Sequence, residues 1–71
     1  MNRESGPTIR LAQFLKWKGI AESGGEAKTL IQEGLVMVND EIETRRGRQL
    51  RNGDSVTFAE EVHQVELPTK G

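Results

Sequence analysis

Four arginines, Arg45, Arg46, Arg48 and Arg51, stand within seven residues. Guanidinium forks hold phosphate oxygens by paired hydrogen bonds, so such a cluster points to gripping an anion rather than to making or breaking bonds. Its setting sharpens that reading. The 71-residue chain has a formal net charge of -1, and Thr44 to Gly53 holds four cations and no carboxylate. On either side of that stretch carboxylates outnumber cations. A near-neutral chain with one concentrated basic loop has a directional field, suited to a polyanion. If all four arginines meet the phosphates of a nucleic acid, log K falls with log[salt] at a slope of roughly -3. The plainer use of the same charge is a solvated loop, with Glu41 and Glu43 as its neighbouring partners.

Other residues extend or compete with this site. Lys28 lies about 100° round its helix from Ala27, with Gln32 one turn below on the same flank, and that row can line a groove beside the arginine loop. Arg10 and Lys16 carry the basic surface towards the first helix. Lys18 lies nearer the apolar stripe and is placed to snorkel past it. Trp17, the only tryptophan, is about 110° from the centre of that stripe; it either packs at the core edge or stacks on an unpaired base. Ser23-Gly24-Gly25 exposes helix N-terminal amides, but Ser23 and Glu26 account for them as a cap, and Glu22 and Glu26 disfavour an anion there.

Catalytic patterns are lacking. His63 is the only histidine and there is no cysteine, so the usual zinc sites are out of reach. Glu41 and Glu43 share one face of a strand while Ile42 points the other way, and two carboxylates on a sheet edge without a pocket do not make an acid–base pair. Gly24-Gly25 is too short to cradle a phosphate as nucleotide-binding loops do. The reading is a binding protein, not an enzyme, with no metal and no cofactor.

These residues must be positioned by a small scaffold. A chain of this length forms one domain that hides roughly 60 % of its unfolded surface, leaving no room for a cofactor-sized cavity. The polar start, Met1 to Pro7, lacks the apolar stretch of a secretory signal, and no apolar run approaches the ~20 residues of a membrane span. The expectation is a cytoplasmic monomer with a single domain over residues 7–67 and flexible tails at 1–6 and 68–71.

Within that domain, Pro7 to Arg10 runs extended. Leu11, Phe14 and Leu15 then recur at helical spacing, and Gly19 stops the helix, with Ile20 tucked under its exit. Ser23 to Glu26 fits a capping box for a second helix, whose apolar face is Ala27, Leu30, Ile31 and Leu35, ended by Gly34. After Gly34 the period becomes two: Leu35 to Val38, a turn at Asn39-Asp40 that requires Asp40 to accept a left-handed backbone, and a return through Glu41 to Glu43. Asn52-Gly53-Asp54 turns into Ser55 to Phe58, and Val62 to Leu67 is the last strand, ended by Pro68. Phe14 and Phe58 belong to the core. The fold class is α+β, a two-helix hairpin packed on a small, mostly antiparallel sheet.

Arg10-Leu11, Leu15, Gly19-Ile20-Ala21, Ser23, Ala27-Lys28, Leu30-Ile31, Gly34, Val36, Val38-Asn39, Ile42 and Gly53-Asp54 together resemble the RNA-binding domain named after ribosomal small-subunit protein four, the α-L motif. The match covers Ile9 to Phe58. Glu22 to Lys28 and Glu43 to Arg48 look most like the small stand-alone bacterial members, the YbcJ-like proteins. Two positions depart from the usual pattern: Ala12 stands where many members have an acidic residue, and Gly24 where many have an arginine that contacts RNA.

The resemblance implies a non-catalytic module for structured RNA such as a ribosomal or transfer RNA junction. Gly24 shifts the expected contacts onto Lys28 and the arginine loop. The site residues are then Arg10, Lys16, Lys28, Gln32, Arg45, Arg46, Arg48 and Arg51. Replacing Arg45, Arg46 and Arg48 by alanine is expected to leave the fold intact and to weaken RNA binding at least about tenfold. The alternative partner for the same loop is an acidic protein patch, making the chain an interaction adaptor.

Overall fold

A computed structural model describes residues 7–68. The elements run β1 (Thr8–Arg10), α1 (Leu11–Trp17), α2 (Gly24–Gln32), β2 (Val36–Val38), β3 (Glu41–Ile42), β4 (Gln49–Arg51), β5 (Ser55–Phe58) and β6 (Glu61–Gln64). This is the expected α+β class. The helices pack on each other, and every strand pairing is antiparallel. The expected tails lie outside the described residues, apart from Pro68. No helix among the described residues is long and apolar enough to cross a membrane.

Both helices end on a glycine with positive φ, Gly19 at 78° and Gly34 at 75°. The closing hydrogen bonds are alike. Gly19 N donates to Lys16 O and Ile20 N to Leu15 O, while Gly34 N donates to Ile31 O and Leu35 N to Leu30 O. This paired pattern satisfies carbonyls that the helix end would leave bare, and it turns the chain sharply. The turn explains a departure from the helical count. Leu35, expected on the buried face of α2, is carried past the helix and left about half exposed.

The start of α2 follows the capping box with one change of partner. Ser23 Oγ accepts from Glu26 N at 3.1 Å, but the Glu26 carboxylate accepts from the Glu22 amide at 2.7 Å rather than from that of Ser23. The helices then bury Leu11, Phe14, Leu15, Ala27 and Ile31 against Val36, Val38, Leu50, Val56 and Val65. Ile20 packs on this cluster, and Phe58 is only partly buried beside it.

The main sheet has the order β3-β2-β5-β6. In the β2–β3 hairpin, Met37 faces Ile42 and Val38 faces Glu41. The turn residues Asn39 and Asp40 have φ of 52° and 70°, as a tight two-residue turn requires. Asn39 does more than tolerate the turn: its Oδ1 accepts from Ser55 N at 3.0 Å and its Nδ2 donates to Asp54 Oδ1 at 3.2 Å, tying the hairpin to β5.

Two further features differ from the sequence expectation. The last strand is Glu61–Gln64, not Val62 to Leu67. Beyond it the chain is held by the Asn52-Gly53-Asp54 turn: Val65 N donates to Asp54 O, Gly53 N to Val65 O, Leu67 N to Asn52 Oδ1, and Asn52 Nδ2 to Leu67 O. The extended run before α1 is also a true strand. It pairs with Gln49–Arg51, a stretch read from the sequence only as part of the arginine loop.

Candidate nucleic-acid interface

The basic surface is built on the ribbon of β1 and β4. Thr8 faces Arg51, Ile9 faces Leu50 and Arg10 faces Gln49. Cross-strand partners share a face and successive residues alternate. Leu50 is buried and Ile9 packs on the core, so Arg10 and Arg51 lie together on the opposite, exposed face. Residues more than thirty positions apart in sequence thus form one basic strip.

The loop before β4 is attached to the start of α1. Arg10 caps that helix without a side-chain hydrogen bond. Its first amides are met instead by loop carbonyls, Leu11 N donating to Arg48 O at 2.8 Å and Ala12 N to Arg46 O at 3.3 Å. A further hydrogen bond, Arg48 N to Arg45 O, closes the loop on itself. Backbone groups of the arginines hold the helix, which leaves their side chains to point elsewhere.

Glu43 organises those side chains. The register that pairs Val38 with Glu41, continued by Glu43 N donating to Val36 O, puts Glu41 and Glu43 on the same face with Ile42 opposite. Glu41 is exposed at the edge, but Glu43 is only 6 % exposed. Arg45 Nε donates to Glu43 Oε2 at 2.9 Å and Arg45 Nη2 to Oε1 at 3.2 Å, a two-point grip. The Arg45 amide adds a third bond to Oε2, and Arg48 Nη1 donates to Oε1 at 2.7 Å. The Arg45 side-chain bond leads in pulling the Glu43 pKa down from 4.5 to about 2; the Arg45 amide and Arg48 add to it, against a smaller upward push from burial. A buried carboxylate with this many donors stays ionised.

Two arginines are therefore not simply solvated cations awaiting a ligand. Glu43 offsets one of their charges, but it does not occupy them. A guanidinium has five N–H donors, and Arg45 spends two of these on Glu43 while Arg48 spends one. The Arg45 side chain is still 74 % exposed. The carboxylate is buried and fixes the fork, while the Arg48 side chain is more covered, at 32 % exposed.

This changes the expected effect of removing the loop arginines. Alanine at 45 and 48 would strip a buried carboxylate of its side-chain partners, which is costly. The triple substitution is therefore expected to destabilise the fold, where the sequence reading expected the fold to stay intact. Arg46 differs, since among the described residues no carboxylate pairs with it. Arg51 belongs to β4 rather than to the loop, and its amide donates to Asp54 Oδ2 at 2.9 Å.

The remaining candidates are spread more widely. Lys16 is exposed on α1, and Lys28 and Gln32 are exposed on α2, which packs on α1. The structure therefore joins Arg10, Arg45, Arg46, Arg48 and Arg51 through the ribbon and its loop, and leaves Lys28 and Gln32 on a separate element. Lys18 snorkels as expected, its Nζ 5.9 Å from the Phe14 ring centroid and 5.4 Å from that of Trp17. Trp17 is 54 % exposed, more than a core-edge residue. His63 Nε2 is 3.7 Å from Glu61 Oε1. No group of three or more His, Cys, Asp or Glu able to hold a metal occurs among the described residues.

With this geometry in hand, comparison with known proteins gives a family. A family model described as the S4 domain matches residues 3–66. The chain belongs to the S4 domain family. The "Probable ribosome maturation protein RlbA" of Bacillus subtilis (strain 168) is 52 % identical over 48 residues, 68 % of this chain and 68 % of that protein. The "Putative RNA-binding protein YbcJ" of Escherichia coli (strain K12) is 41 % identical over 59 residues, 83 % of this chain and 84 % of that protein. In this S4 domain, Gly24, the position where an arginine was expected from the resemblance, is the first residue of α2. The basic contribution of that helix is therefore left to Lys28.

Proposed function

We propose that this chain is a non-catalytic module that binds structured RNA, of ribosomal or transfer RNA type, by its phosphates. Arg10, Arg45, Arg46, Arg48 and Arg51 make the central contacts, with Lys16, Lys28 and Gln32 widening the surface. It acts as a cytoplasmic monomer and needs no cofactor. The observation that carries the reading is the strip formed by Arg10 and Arg51 beside a loop whose arginines are pre-set by Glu43. Membership of the S4 domain family, and relatives named for RNA binding and ribosome maturation, support RNA as the polyanion.

Physically, the recognition is of shape. The major groove of A-form RNA is too narrow for side chains to read, so a folded RNA presents chiefly its phosphates and 2′-hydroxyls. Fixed guanidinium forks suit that target, since each lost side-chain rotamer is a cost already met in the free protein.

Arg10→Ala with Arg46→Ala is the cleanest test, because neither side chain contacts Glu43. Fluorescence anisotropy with a labelled RNA stem-loop should show affinity reduced at least about fivefold, and a salt slope flatter by roughly 0.7 to 0.9 for each contact removed. The melting temperature should hold. Unchanged affinity would sink the reading. Were the loop's partner an acidic protein patch instead, a structured RNA would fail to displace it.

A further inference from the structure

The outer surface of α1 holds a feature that phosphate gripping uses only through Lys16. Gln13, Lys16 and Trp17 stand at i, i+3 and i+4 on the helix side facing away from Leu11, Phe14 and Leu15. With Ile9 of β1 they line a groove of about 410 Å³, within the range of roughly 300 to 1,000 Å³ usual for small-ligand sites. Lys16, one of the cations that widen the proposed RNA surface, lines the groove itself. Ile9 is the strand neighbour of Arg10, with its side chain on the other face of the ribbon. An exposed indole, an amide, an aliphatic floor and an ammonium are gathered there at the edge of a cationic surface.

The indole is steadied rather than loose. Phe14 meets it edge-on, with ring centroids 6.0 Å apart and planes at 73°. The ammonium of Lys18, 5.4 Å from the Trp17 centroid, is outside the groove's lining. A large aromatic surface held in place and left open to solvent suits a flat ligand.

We propose that this groove seats one unpaired nucleobase of the bound RNA. The base stacks on Trp17 and rests against Ile9, while the Gln13 amide, both donor and acceptor, meets its edge. Lys16 meets the phosphate of the same nucleotide. This inference rests on the RNA-binding reading and adds to it a preference for RNA with a bulged or looped-out nucleotide beside the gripped helix. Stacking of a base on an aromatic side chain contributes enough that losing the ring weakens binding about fivefold or more.

The protein reports on the site itself, because Trp17 is the only tryptophan and there is no tyrosine. Two RNAs with the same stem, one fully paired and one carrying a single bulged purine, are titrated into the full chain. Binding is read by anisotropy of a terminal dye and stacking by Trp17 fluorescence. The expected result is that both bind, that only the bulged RNA quenches Trp17 strongly, and that it binds at least about fivefold more tightly. Trp17→Leu should abolish that preference while keeping affinity for the paired stem, and Gln13→Ala, which retains the fluorophore, should reduce it. If the bulged RNA binds without quenching, or Trp17→Leu keeps the preference, the stacking seat is refuted and the phosphate reading stands. Quenching by adenosine monophosphate as strong as by the bulged RNA would make this a mononucleotide site and overturn the inference. If neither RNA binds, both readings fall.

Discussion

Glu43 Oε1 lies 2.7 Å from Arg48 Nη1, joining a buried carboxylate to a cation five residues further along the chain. With Arg45 on the same carboxylate, the loop is strung on one anion at the sheet's end. Glu43→Gln keeps the shape and removes the charge that both guanidinium groups are bonded to. Hydrogen bonds to charged groups contribute about 1.5 to 3 kcal/mol where buried. Allowing for the exposed side of Arg45, a loss of about 1 to 2 kcal/mol is expected, or a melting temperature lower by roughly 5 to 15 °C. Thermal denaturation checks it, and a variant melting with the parent chain would show that Glu43 is no anchor.

The same carboxylate gives a pH signature. The folded-state pKa of Glu43 is lowered from 4.5 to about 2, led by the hydrogen bond from Arg45. A folded value below the unfolded one means the stabilisation is complete above about 4.5 and is lost as pH falls from there towards 2. Melting curves taken from pH 7 down to 2 should show the parent chain losing its advantage over Glu43→Gln across that window, the two converging at the acid end. A difference that stayed constant with pH would assign the effect of the substitution to packing.

Much of the scaffold was legible because its signals are local. Ser23 and Glu26 mark the start of α2, Gly19 and Gly34 mark both helix ends, and Asn39-Asp40 marks the first hairpin; each acts through hydrogen bonds or backbone angles within a few residues. The ribbon was not legible. Gln49-Leu50-Arg51 has one apolar residue, and its strand character comes from pairing with Thr8–Arg10, about forty positions earlier. The arginines of the candidate site could be named from the sequence, but not the state of Arg45 and Arg48. Glu43, between Ile42 and Thr44, could be named with Glu41 as a neighbouring partner of a solvated loop, but its burial could not. Only its spacing, two residues before Arg45 and five before Arg48, hinted that it could serve both. Leu35 misled for the opposite reason: its helical spacing is sound, but the chain has already turned at Gly34.

A second hairpin turn offers a stabilising substitution. Ala59 and Glu60 join β5 to β6 with φ of 54° and 69°, a left-handed pair that neither side chain favours. Asn-Gly is the preferred pair for this geometry. Both positions are exposed, so little packing is at stake. Ala59→Asn with Glu60→Gly should stabilise the chain by about 0.5 to 1.5 kcal/mol, read as a higher urea midpoint with an unchanged slope. RNA affinity should be unaffected, because this turn lies at the end of β5 and β6, outside the elements that carry the arginines.

The two adjacent arginines at the head of the loop should respond differently to the same conservative change. Arg45 meets Glu43 through Nε and Nη2 together. An ammonium is a point charge and cannot reproduce a two-point grip, so Arg45→Lys keeps the charge and loses the geometry. Among the described residues Arg46 has no such bond, and its carbonyl accepts from Ala12 N. Arg46→Lys should therefore leave the melting temperature in place, while Arg45→Lys lowers it. Loop order should follow. Amide hydrogen exchange at residues 45 to 48 should quicken in Arg45→Lys and not in Arg46→Lys, because only the former loosens the carboxylate on which the loop is built. Equal melting and equal exchange in the two variants would mean that charge alone, and not the Arg45 fork on Glu43, sets the loop.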